Sequence, residues 1–84
     1  IVNSVMSQKL YGIVSKIMSI PVSQLSDNSG PENIEKWDSF NGLLLVDELE
    51  VQFGIKFELD EIVDVKTISD IKKHIKNHGI NLDE

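Results

Sequence analysis

Asp38 and Ser39 stand side by side directly before a long helical run, and that placement bears on chemistry. A helix N-terminus leaves backbone N–H groups without partners and carries the positive end of the helix dipole. A hydroxyl there suits an attached negatively charged group. The plainer use is capping, since Asp and Ser are both good N-cap residues. On its own, an Asp-Ser pair at a helix start is a cap. The chain has nine serines, and only Ser39 has an acid before it and a strongly amphipathic helix after it. Ser4, ahead of the first helix, is the nearest rival, close to a terminus expected to fray. His74 and His78 stand four apart, a metal-capable spacing. No Glu follows His74 directly and no third ligand is evident, so they are expected as two surface histidines near a helix end. An Asp-x-Asp-x-Asp-Gly loop, a Gly-rich phosphate loop and a nucleophile–base–acid set are all missing, so an enzyme is not expected. The chain has no cysteine, which excludes disulfides and thiolate sites. Any thioester chemistry would need a thiol on an added cofactor.

The 84 residues suffice for one domain spanning 1–84. Its 14 acids against 8 bases give a formal net charge of −6. Phosphate-neutralising contact with nucleic acid is disfavoured, and a basic partner surface is the electrostatic complement. A strongly acidic surface also simply keeps a protein dissolved. No apolar run approaches the ~20 residues a membrane span needs, and no signal segment is visible. A soluble, cytoplasmic monomer is the expectation. The first residue is Ile1 rather than Met, which fits either a trimmed free-standing protein or a domain of a longer chain.

The elements that must position Ser39 follow from periodicity. A first helix is expected over about 3–19, with Met6, Leu10, Ile13, Val14 and Ile17 on one face and Ile20-Pro21 ending it. Residues 21–37 form a long, mostly irregular connection rich in turn formers, with Val22, Leu25 and Ile34 as pegs to the core. The second helix is expected over 39–53, burying Leu45, Val46, Leu49 and Phe53 and stopping at Gly54. Ile55 and Phe57 should pack inward. A short helix over 60–64 carries Ile62 inward. The last helix, 67–78, buries Ile68, Ile71 and Ile75, with Asp70 in capping-box spacing from Thr67 and Gly79 as its stop. Residues 81–84 are expected as a frayed acidic tail.

With its helix and its Phe53-Gly54-Ile55 end, Trp37-Asp38-Ser39-Phe40 resembles the acyl carrier and peptidyl carrier family, whose signature opens the second helix with Asp-Ser-Leu. Thr67-Ile68-Ser69-Asp70 resembles the start of that family's last helix. The resemblance runs from the first helix to about His78. It implies an all-α, acyl-carrier-like four-helix bundle with three longer helices, one short third helix and a long first loop. It implies 4'-phosphopantetheine, donated by coenzyme A, on Ser39, with Asp38 both capping the helix and helping a transferase and its metal ion reach the serine.

The implied partners are a phosphopantetheinyl transferase, an acyl- or aminoacyl-loading ligase, and downstream synthase or transferase enzymes. Phe40, Leu43 and Leu44 would meet them, with Asp47, Glu48, Glu50, Asp60, Glu61 and Asp64 as an acidic recognition face. Phe40 stands where the family usually has Leu. Leu44 stands where fatty-acid carriers often have an acid, and Asp47 where they are often apolar. That exchange implies a specialised carrier rather than the housekeeping one. Trp37 is either a lid over the loop or a partner-facing aromatic. A carried chain would need the core around Ile13, Leu49, Phe53, Ile62 and Ile71 to open. The competing reading is an unmodified acidic helical module that binds partners through the same surface.

Overall fold

A computed structural model describes residues 4–83, and among them all regular structure is helical. The order is α1 (Val5–Met18), a 3-10 turn (Val22–Gln24), α2 (Ser39–Phe53), α3 (Leu59–Asp64) and α4 (Ile68–Asn77). This is the four-helix arrangement expected, with α1 packed on α2. The expected helix start at Asn3 and the tail residue Glu84 lie outside the described residues.

Ser4 caps α1 by accepting the Ser7 N–H at 3.1 Å. Leu10, Val14 and Met18, four residues apart, are fully buried. Met6, Ile13 and Ile17 flank them half-buried. Ser19 ends the helix with φ of 55°, a left-handed conformation unusual for a residue other than glycine.

The long connection is tied down by backbone bonds. The carbonyls of Ser29 and Asp27 accept the N–H groups of Ile68 and Ser69, each at 2.9 Å, so the loop satisfies the free amides that open α4. Gly30 makes that approach possible: a Cβ there would lie 2.0 Å from the Lys66 carbonyl oxygen. Ile34 is buried and Leu25 half-buried, as expected of pegs. Val22 is not one. It opens the surface 3-10 turn directly after Pro21 and is half exposed.

α2 buries Leu45, Leu49 and Phe53, with Val46 half-buried beside them. Gly54 closes it at φ of 66°. Glu58 and Glu61 form a capping box on α3, and Thr67 and Asp70 form one on α4. Ile68, Ile71 and Ile75 complete the core.

Two further expectations are corrected. The C-terminal segment is not a frayed tail: Leu82 is 1% exposed, and its carbonyl accepts the Ser4 hydroxyl and, at 2.9 Å, the Ser7 hydroxyl. One apolar side chain and two hydrogen bonds dock it onto the start of α1. The histidines are not both at the surface either. His74 is buried, because α3 folds against α4 and brings Asp64 to 2.9 Å from its Nε2 and Glu61 to 3.4 Å from its Nδ1. His78 is half-buried, 2.9 Å from Glu61 and edge-on to Phe57.

Candidate functional site

The junction before α2 is built by the neighbours of Ser39. Asp38 has extended backbone, and its Oδ1 accepts the Asn41 N–H at 2.8 Å. Asn41 then reaches back, its Nδ2 donating to the Lys36 carbonyl at 2.7 Å. Trp37 is buried, donates its backbone N–H to the Ile34 carbonyl at 3.0 Å and lays its ring against Gly42. It is a packing residue, not a partner-facing one.

Asp38 is therefore the N-cap, and Ser39 is the first residue inside the helix. Ser39 is exposed, and its hydroxyl makes no hydrogen bond among the described residues. Capping was the plainer use open to this serine, and Asp38 performs it instead. An uncommitted hydroxyl then sits beside the free amides of a helix start, where negative charge is stabilised.

Beside this junction lies a crevice of about 90 Å³ lined by Trp37, Gly42, Leu45, Val46, Leu49, Phe57, Ile62, Val65 and Ile71. Leu49, Ile62 and Ile71 were expected there. Ile13 and Phe53 do not line it: Ile13 lies on α1, and Phe53 lies under the Lys9 ammonium, 5.1 Å from its ring centroid. Trp37 and Gly42 extend the crevice to the Ser39 end of α2.

The phosphopantetheine attachment site family matches residues 8–75, a span that contains this junction, the crevice, α2, α3 and most of α4. The chain belongs to that family. Its members carry 4'-phosphopantetheine covalently and are carriers rather than catalysts, working with modifying and synthase enzymes. No curated protein matches the chain. The residues of this carrier's junction fit such a group: a free hydroxyl for the phosphodiester, helix amides for its charge, and no thiol of the chain's own.

The residues expected to face partners divide. Phe40, Leu43 and Leu44 are exposed, at 71%, 57% and 41%. Asp47 is exposed with no partner among the described residues. Asp60 is exposed and accepts only the N–H of its neighbour Glu61, at 3.1 Å. Glu48 accepts from Gln52 at 2.8 Å. Glu50 is taken up inside the carrier, its side chain 15% exposed, accepting the Phe57 N–H at 2.8 Å with Lys56 at 3.7 Å. Glu61 serves the capping box and His78, and Asp64 serves His74. The Glu58 N–H, first, and His78 after it hold the Glu61 carboxyl below its ordinary range. Among the described residues, no group of His, Asp and Glu is arranged to hold a metal, and no helix is long and apolar enough to cross a membrane. Asn41 gave no signal in the sequence, because an Asn three residues after an Asp is unremarkable until the turn brings it to Lys36.

Proposed function

We propose that this carrier holds acyl or aminoacyl groups as thioesters on a 4'-phosphopantetheine arm joined to Ser39. The observation behind this reading is the division of labour at the junction: Asp38 caps α2, and Ser39 Oγ stays exposed and unbonded. In the loading step, Ser39 Oγ attacks the diphosphate phosphorus that bears the pantetheine of coenzyme A. A Ser39 O–P bond forms, the diphosphate bridge breaks, and the adenosine bisphosphate half leaves. The hydroxyl proton passes to a base of the transferase. The new phosphodiester lies where the first-turn amides and dipole of α2 favour it.

Asp38 holds the hydroxyl at the helix tip and supports the approach of the transferase and its metal ion. The arm supplies the thiol that the chain lacks, and tethering raises the effective concentration of the cargo for each enzyme. The crevice between α2 and α3, already reaching the Ser39 end, is where an acyl chain would shelter. The enzymes are the transferase, a loading ligase and downstream synthases or transferases, in a cytoplasmic setting. Leu44 and Asp47 favour a specialised pathway over housekeeping fatty-acid synthesis.

The test is intact mass spectrometry after incubation with coenzyme A, magnesium and a broad-specificity transferase. The parent should gain one phosphopantetheine and Ser39→Ala none. A folded parent that stays unmodified with several transferases, and still binds partners, would make the chain an unmodified interaction module.

A further inference from the structure

Trp37 is only 6% exposed, and its backbone N–H goes to the Ile34 carbonyl at 3.0 Å. Its indole Nε1–H has no hydrogen-bond acceptor among the described residues. A buried tryptophan ordinarily finds a partner for that group. Among the described residues every side-chain nitrogen or oxygen that is wholly enclosed has a partner, so Nε1 keeps an opening. The ring edge that carries it faces Gly42: a Cβ there would stand 3.6 Å from Nε1 and 3.7 Å from Cδ1. Both residues line the crevice between α2 and α3. The unmet donor therefore borders that crevice, at the end nearest Ser39.

The rest of the lining is hydrocarbon. Leu45, Val46, Leu49, Ile62 and Ile71 bring no polar side-chain group, and no charged side chain lines the space. Its volume is about 90 Å³. A cavity of ~150 Å³ takes up benzene, so this one has room for about four carbons. An ammonium entering it would lose its hydration and meet no carboxylate. The group that fits is short, uncharged and apolar, with one acceptor oxygen at the Trp37 end.

We propose that this carrier is selective for short, uncharged acyl cargo, with Trp37 Nε1–H donating to the thioester carbonyl and Gly42 keeping the mouth of the crevice open. This rests on the arm being joined to Ser39, because the crevice meets that end of α2 at Trp37 and Gly42. A chain entering there leaves its carbonyl at the mouth and runs its methylenes toward Leu49, Ile62 and Ile71. An aminoacyl group of the same length stays outside, since its ammonium keeps its water. A longer acyl chain enters only if α2 and α3 part. Trp37 and Gly42 are then specificity-determining residues: one supplies the donor, and the other leaves the space that lets cargo reach it.

The test loads the carrier by a broad-specificity transferase and magnesium, with coenzyme A either free or bearing a butyryl, octanoyl or alanyl group. Intact mass confirms complete loading. The chain has one tryptophan, so a nitrogen-15 spectrum gives a single indole N–H signal to follow. Butyryl should move that proton to lower field relative to the bare arm and raise the melting midpoint by about 5 °C. Alanyl should leave both as the bare arm does, and octanoyl should shift them less than butyryl. Gly42→Ala, whose added Cβ makes ordinary contact with the ring, should keep the fold and lose the butyryl effect. Trp37→Phe should keep the apolar wall and lose about half of the butyryl gain in midpoint. If that variant does not fold, Gly42→Ala still decides the matter. An indole signal that is the same with every cargo would overturn the proposal. So would an alanyl group that acts like butyryl, or a shift already complete with the bare arm. A parent that takes up no arm at all instead sinks the assignment of Ser39, so the two failures are distinct.

Discussion

At the scale of single residues, Asp38 and Ser39 are two good capping residues of which only one caps. This predicts different outcomes for substitutions one position apart. Asp38→Ala should cost about 1 kcal/mol in urea unfolding, whereas Asp38→Asn, an equally good cap, should stay within a few tenths. Ser39→Ala should be neutral to within ~0.5 kcal/mol, because its hydroxyl bonds to nothing in the chain. If Asp38 also serves the transferase, Asp38→Asn should be modified more slowly than the parent at unchanged stability. Equal rates would leave it a cap alone. The importance of this residue pair was legible in the sequence, from an acid and a serine ahead of an amphipathic run. The roles of Glu50, Glu61 and Asp64 were not. Their partners Phe57, His78 and His74 lie 7, 17 and 10 residues away: Glu50 meets Phe57 only once the segment after α2 turns back, and Glu61 and Asp64 meet the histidines only once α3 has folded onto α4.

At the scale of elements, two local attachments hold the helices in place. Gly30→Ala would drive a Cβ into the Lys66 carbonyl, backbone against backbone. It should destabilise the fold by about 3 kcal/mol or more in urea unfolding. Leu82→Ala should cost about 3 kcal/mol by the same measurement, since it empties a fully buried site. An unchanged midpoint would restore the frayed tail.

Loop and helix are also joined by charge. Asp27 is held below its ordinary range, first by the Lys72 hydrogen bond and then by that of Tyr11. Burial, and then the bond to Asp27, pushes the Tyr11 hydroxyl up. The folded state thus favours ionised Asp27 and Glu61, whose contribution is present above their ordinary values of 3.8 and 4.5 and is lost as pH falls below them. It favours neutral Tyr11, whose contribution is full below 10.0 and is lost as pH rises beyond it. Asp27 and Glu61 should lower the urea midpoint as pH falls through 4.5 and 3.8, and Tyr11 should lower it as pH rises beyond 10.0. Asp27→Asn should shrink the acid shoulder.

The helices themselves were legible, because apolar residues recur at their spacing and Ser4, Asp38, Thr67 and Gly54 mark their ends. Leu82 was not, since one leucine between Asn81 and Asp83 has no period. Gly30 was legible only as a turn former, because what crowds it is 36 residues away.

At the scale of the whole molecule, the net charge of −6 suggested an acidic docking face, and the fold distributes that charge differently. Several acids serve caps, histidines and loop amides, and the surface of α2 nearest Ser39 is mostly apolar. Net charge reports solubility and long-range steering, not which carboxylates remain free. The family was legible because its motif is local and its helix order is written in periodicity. The crevice wall at Trp37 and Gly42 was not, because it depends on how the loop packs back on α2.

The most direct test of the central claim is tandem mass spectrometry of the loaded carrier after proteolysis, locating the arm among the nine serines. The phosphopantetheine should sit on Ser39 alone, in the peptide that also carries Trp37, Asp38 and Phe40. An arm found on any other serine, Ser4 above all, would contradict the assignment.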